Sequence, residues 1–280
     1  MQRSSATSRG LVVLAPYHPT VTGVYLVERL FQENLVATVA FIQDDGMTGL
    51  AGRVRRLRQR QGILGVLQRW CARRLRARLL RPYRQKHLVG QLFPQGLRKL
   101  AVPPSVTTMR LGALHAPATV EALASLEPDL MVQAGVGWIK KPVLEIARLG
   151  ILSLHHGIMP AIRGMDSILW AHVENRPEWM GITVQLINEG LDTGQIVRQS
   201  RVEPRPGEDP FSVVRRATIL GADLMVSSVK EILSSGVPVQ QPQSPEKGTY
   251  RSALTPKAVL RVHQLCVAAA NQREVDKSPL

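Results

Sequence analysis

The sequence predicts an α/β fold, with a mostly parallel twisted sheet carrying helices on both faces. Three observations carry this. Short apolar runs of strand length (LVVLA at 11–15, DLMVQ at 129–133, ILSL at 151–154) are each followed by turn residues or glycine within a few positions. Helical spacing occupies intervals between them. Apolar residues make up 44% of the 280-residue chain, which is ample for a core and excludes wholesale disorder. No uncharged apolar run approaches the ~18–20 residues of a membrane span.

The elements follow in order. Residues 1–10 are polar, with Arg3, Arg9 and no acid, and read as a flexible N-terminus rather than a signal or transit peptide. Residues 11–15 are a buried strand, with a turn at Pro16–Pro19. Val24, Val27, Leu30 and Phe31 then share a helix face, and residues 35–42 form a second strand. Strand, helix, strand is a parallel βαβ unit. The rhythm resumes with a strand at Met109–Leu114, a helix at Ala118–Leu126 and a strand at Asp129–Gln133. A helix over Lys141–Leu149 ends at Gly150. The strand Ile151–Leu154 delivers His155 at its carboxyl end, where parallel sheets bind ligands. Val213, Ala217, Leu220 and Leu224 predict a helix near 209–235. Residues 236–256 read as extended or loosely ordered, and the tail from Asn271 as mobile. The predicted organisation is one domain over 11–235 with a basic insertion at about 46–106, then a C-terminal extension over 236–280.

Charge is concentrated rather than spread. Between Asp45 and Glu121 there is no carboxylate, while 16 basic residues run from Arg53 to Arg110. The rest of the chain holds 20 basic and 21 acidic residues. Within the cationic interval Ile63, Leu64, Leu67, Trp70, Leu75 and Leu79 recur at helical spacing. Two readings stand side by side. One is a surface helix packed through its Leu/Trp face, its arginines solvated. The other is a dock at 53–99 for an anionic partner: a nucleotide, an acidic carrier protein, RNA or a membrane surface. Aromatics are 4% of the chain, and no RNA-binding motif with stacking aromatics is present. Two cysteines, Cys71 and Cys266, exclude a disulfide framework and predict a reducing, cytoplasmic setting.

Gly135 and Gly137 follow a strand, as in a dinucleotide fingerprint, but Lys140 stands where the third glycine belongs, which rejects that reading. The informative stretch is 150–197. It holds His155 at a strand end, Pro160, Arg163-Gly164, Gly181-Ile182-Thr183 and Leu191-Asp192-Thr193-Gly194. This ordered set resembles the signature of the N10-formyltetrahydrofolate-dependent formyltransferases, which include methionyl-tRNA, glycinamide ribonucleotide and sugar formyltransferases. Residues 129–150 and 241–250 are similar to flanking family segments. Residues 46–106 match none.

The resemblance implies a Rossmann-like catalytic domain, N10-formyltetrahydrofolate as co-substrate, an amine acceptor and no metal. An amine attacks the formyl carbon, and the developing oxyanion needs donors aimed at it. In the family an Asn and a His supply them, and an Asp handles the amine's proton. His155 and Asp192 take the last two places. Ser153 stands where the family has its Asn. Three consequences stay open: an active site working with serine, a site retuned for another one-carbon unit or acceptor, or one that binds without catalysis. The resemblance places the folate among Gly135, Val136, Gly137, Trp138 and Glu189, Gly190, Leu191, and gives Arg163 and Asp166 as acceptor-side candidates. His156 points the opposite way from His155 if the strand continues. His155-His156 is not a metal-ligand spacing.

Two features bear on the acceptor. The loop after the first strand carries a single glycine, Gly23, a weak phosphate cradle that disfavours a ribonucleotide acceptor. Some 30 residues follow Tyr250, so the second domain of the methionyl-tRNA enzymes is not expected. The acceptor expected is a small-molecule, sugar or carrier-bound amine, with an RNA-linked amine as an alternative. A folate- or nucleic-acid-binding protein without catalysis, and a membrane-associated scaffold, are competing classes. A homodimer is compatible with the sequence.

Overall fold

The computed structural model describes residues 10–43, 50–97, 100–238, 241–244 and 248–275. The predicted N-terminal tail at 1–9 lies outside them. Strand β1 (Leu11–Pro16) leads to helix α1 (Val21–Gln32), whose N-cap Thr20 accepts the Gly23 N–H at 3.1 Å. Strand β2 (Val36–Gln43) precedes helix α2 (Leu50–Leu75). Then come β3 (Thr107–Ala113), α3 (Pro117–Ala124), β4 (Leu130–Gln133), α4 (Lys141–Leu144) and β5 (Ile151–His155). Strand β6 (Ile162–Gly164), α5 (Ser167–Val173), β7 (Gly181–Leu186), β8 (Gln195–Arg201), α6 (Pro210–Ser235), β9 (Thr249–Arg251) and α7 (Pro256–Val275) complete the chain.

Seven strands form one sheet in the order β3-β2-β1-β4-β5-β7-β8. The first five run parallel, and β7 and β8 are antiparallel additions beyond β5. The period-2 alternation of β1 explains the two-sided burial. Leu11, Val13 and Ala15 face one layer with Leu26, Val27 and Leu30 of α1 and Met225, Val229 and Ile232 of α6. Val12 and Leu14 face the other, with Met131, Ile151, Leu123 and Val143. The predicted α/β class holds.

Two local expectations need correction. The helix expected over Lys141–Leu149 ends at Leu144, because the backbone tightens into i→i+3 bonds such as Ile146 N to Val143 O. The expected mobile tail begins too early. Residues 271–275 extend α7, which is anchored by buried Val259, Val262, Cys266 and Ala269, and 276–280 lie outside the described residues. Within 236–256, Thr249–Arg251 pairs with β6, and Gln241 bridges to Ile196.

The cationic interval is helical, broken at Gly62 (φ 68°, ψ −175°), and runs on to Leu92 with wider i→i+5 turns at Arg76–Leu80 and Gln85–Val89. Its apolar residues divide. Leu75, Leu79, Leu80 and Tyr83 pack with Val259 and Val262 of α7. Ile63, Leu64, Leu67 and Trp70 are 61, 68, 56 and 59% exposed. The packed-face reading therefore holds for the second half of this helix and fails for the first, whose stripe no element among the described residues covers. Among the described residues no helix is long and apolar enough to cross a membrane.

Candidate active site

A polar row crosses the sheet at the carboxyl end of β5. Ser153 is in register with Gln133 on β4 and Gln185 on β7, and His155 with Thr183 on β7. Ser153 and His155 are two apart on β5 and share a face. Ser153, His155, Thr183 and Gln185 are all buried. Such a buried row is tolerable only when its members satisfy one another.

His155 Nε2 lies 3.1 Å from the Ile162 carbonyl, which can only accept, so that nitrogen carries a proton. Nδ1 faces Asp192 Oδ2 at 3.9 Å. Burial pulls the imidazole's proton affinity below its ordinary value, and Asp192 opposes that. The ring is neutral at pH 7, and a second proton on Nδ1 would sit beside the Asp192 carboxylate. Thr183 Oγ1 donates to the Gly157 carbonyl at 2.7 Å and accepts from Met159 N at 3.2 Å, fixing the turn after β5.

Asp192 is held from three sides. Its φ of 54° places it in a left-handed turn. Oδ2 accepts the Gly164 N–H at 2.9 Å, and Oδ1 accepts from Gln185 Nε2 at 3.3 Å. Asn188 braces the loop, with Oδ1 accepting from Gly190 N and Thr193 Oγ1. Gln243 Nε2 donates to the carbonyls of Asp192 and Gly194. Arg163, buried, donates to Gln243 Oε1 and the Ser244 carbonyl, so it anchors this clamp.

The loops expected to hold folate come together. Trp138 Nε1 donates to the Glu189 carbonyl at 3.1 Å, tying 134–140 to 188–193. Gly135 and Gly137 adopt φ 100° and 89°, with open space on the Cβ side of each. Trp138 and Leu191 are exposed. Open backbone flanked by exposed apolar side chains fits a flat heterocycle. Asp166 sits elsewhere, with its carboxylate accepting two bonds from Arg76 at 2.5 and 3.1 Å and one from Leu254 N. Its chain neighbour Ser167 places Oγ 3.4 Å from His155 Nε2. Thus the cationic helix reaches to within one residue of a side chain touching His155. A groove of about 620 Å³ lies there, between Leu64, Arg69, Ala72, Arg73 and Arg76 and the segment Ser252–Pro256.

His156 points to the opposite side, with Nε2 3.1 Å from Thr218 Oγ1. The Thr218 hydroxyl donates to Val214 O, so it accepts from the imidazole. Burial, with a smaller contribution from His155, pushes His156 down to about 4. The unfolded chain therefore binds protons more readily, and stability is lost as pH falls from about 6.5 towards 4. The unfolding free energy read from denaturant titrations is expected to fall by about 1–2 kcal/mol between pH 7 and pH 5. His156→Gln should flatten part of that slope; an unchanged slope would contradict the assignment.

The sequence expectations missed Gln133, Gln185, Gln243 and the Arg76–Asp166 pair. Gln133 and Gln185 carried one available signal, a polar residue inside an otherwise apolar strand. Among the described residues no cluster of three His, Cys, Asp or Glu side chains forms a metal-ligand set.

Comparison with known proteins agrees with this architecture. The profile of the formyl transferase family matches residues 84–229, just over half of the chain. The chain is 32% identical over 177 residues to the methionyl-tRNA formyltransferase of Syntrophus aciditrophicus (strain SB), covering 62% of this chain and 55% of that protein. It spans about half the length of the curated relatives it matches. Its fold is similar to glycinamide ribonucleotide transformylase 1 from Symbiobacterium toebii (TM-score 0.52, 16% identity, 87% of this chain and 99% of that one). It is also similar to an N-formyltransferase from Helicobacter canadensis solved with folinic acid and dTDP-3-aminofucose (TM-score 0.53, 11% identity, 94% and 81%).

Proposed function

The chain belongs to the formyl transferase family, and from that premise we propose that it moves a formyl group from N10-formyltetrahydrofolate to the amine of a small-molecule, sugar or carrier-bound acceptor. The observation that carries this is the His155–Asp192 pair, fixed at the carboxyl end of β5 by a buried hydrogen-bond network. The folate would supply an activated formyl group. The loops at Gly135–Trp138 and Glu189–Leu191 would hold it, their exposed apolar side chains against its ring and their open backbone available for hydrogen bonds.

The remaining work falls to this chain's own side chains. Ser153 presents its hydroxyl, and His155 a second donor once Nδ1 takes a proton, where negative charge develops on the formyl oxygen. Asp192 takes the proton that the amine must lose and stabilises a proton on His155 Nδ1. The immobile Gly164 and Gln185 donors keep Asp192 aimed without reorganisation. The arginine-lined groove beside Asp166 suits an anionic portion of the acceptor, such as a phosphate or an acidic carrier. An RNA-linked amine is the second reading, favoured by the same arginines and by the methionyl-tRNA formyltransferase relatives.

Calorimetric titration with a stable N10-formyltetrahydrofolate analogue tests the reading. Micromolar binding is expected in the wild type, and weaker binding after Leu191→Asp at the mouth of the loops. No wild-type binding would leave only the architecture of a formyl transferase.

A further inference from the structure

Gln133 lies beside Ser153 across the β4–β5 pair, and its carboxamide is held at both ends. Gly135 N–H donates to Oε1 at 3.0 Å, and Nε2 donates to Ser153 Oγ at 2.7 Å. The backbone N–H can only donate, so the amide orientation is fixed, with oxygen to Gly135 and nitrogen to Ser153. Two consequences follow from counting protons. Nε2 carries a second N–H for which no acceptor is found among the described residues. The Ser153 hydroxyl, 4% exposed, accepts from Gln133 and retains its own proton, again without an acceptor among the described residues. A buried donor without a partner is costly unless something else takes the bond. The buried Ser153 hydroxyl and the half-buried Gln133 amide stand together, in register with each other and on the face of β5 that carries His155.

We propose that Gln133 is the carboxamide of this active site, reaching across from β4 to act with the shorter Ser153 as a paired donor to the formyl oxygen. This rests on the formyl-transfer reading above. The serine at 153 is then not a lost donor. Its hydroxyl orients the glutamine amide, and the bond it accepts polarises its own O–H. The longer glutamine arm covers the distance that a two-carbon shorter serine leaves open. Gly135 enters the same device, because its left-handed turn aims the N–H that locks the amide.

The test compares wild type with Gln133→Leu, Ser153→Asn, the double variant and His155→Ala. Two readouts are used. One is the single-turnover loss of formyl from N10-formyltetrahydrofolate, with water as the acceptor when no amine is supplied. The other is 13C NMR of a folate analogue with carbon in place of N10, whose aldehyde hydrates to a gem-diol that mimics the tetrahedral species. Gln133→Leu is expected to slow turnover about 10²–10³-fold and to lower the bound gem-diol fraction, with analogue affinity within about three-fold. Ser153→Asn in the Gln133→Leu background is expected to recover about ten-fold or more, since it returns a carboxamide to the site. Turnover within about two-fold of wild type in Gln133→Leu would overturn the proposal. So would a loss of turnover that tracks lost analogue binding and is not recovered by Ser153→Asn. If wild type and His155→Ala alike release no formyl, the formyl-transfer reading itself fails, and this assignment goes with it.

Discussion

Replacing His155 by alanine is expected to lower formyl transfer about 10³-fold while leaving the affinity for a folate analogue within a few-fold. The geometry separates the two effects. His155 is buried at the end of β5, its Nε2 bonded to the Ile162 carbonyl and its Nδ1 facing Asp192. The loops proposed to hold folate are braced independently, by Asn188 within one loop and by the Trp138–Glu189 bond between the two. Alanine removes the donor and the site of the second proton without touching those braces. The truncation also leaves a cavity, so part of the cost falls on stability rather than rate. His155→Gln separates these contributions: it keeps volume and one donor but cannot take a proton. Rates compared at equal folded fraction should place glutamine near alanine. A glutamine variant near wild type would show that hydrogen bonding alone is needed and that no proton passes through the ring.

The second large effect is expected at Gly164. Its φ is +96°, and a Cβ there would stand 2.0 Å from the Arg251 carbonyl oxygen. That carbonyl accepts the Met165 N–H at 2.8 Å and belongs to the β6–β9 pairing, so it has no freedom to retreat. Gly164→Ala is expected to destabilise the protein by about 2–4 kcal/mol, read as a lower denaturant midpoint. A lower transfer rate should accompany it even in the folded fraction, because Gly164 N–H is the donor to Asp192 Oδ2. Unchanged stability would mean that β9 shifts readily away from β6. It would also remove the argument that this pairing positions Asp192.

The fold was legible where one physical signal dominates. LVVLA, DLMVQ and ILSL are strands because they are short and apolar and must be buried on both faces. Asp192 and His155 stood out only through the resemblance to the formyltransferase signature, since a lone histidine at a strand end or a lone turn aspartate carries no mark of its own. Other features depend on register, which no local pattern carries. Gln133 and Gln185 flank Ser153 only because β4 and β7 pair with β5 at those positions. Helical period showed that Ile63, Leu64, Leu67 and Trp70 share a face. It could not show whether a partner element covers that face, because coverage is a property of the whole fold. The Arg76–Asp166 contact was hidden for the same reason, joining residues 90 apart in sequence.

We propose that this chain takes a formyl group from folate through the His155–Asp192 pair. It is tested most directly by mixing the protein with N10-[13C]formyltetrahydrofolate and following the labelled carbon by rapid quench in wild type and His155→Ala. The label is expected to leave folate in the wild type, as formate or as a formamide when an acceptor amine is present, and to stay on folate in the variant. Label leaving equally fast from both proteins, or from neither while folate is bound, would contradict it.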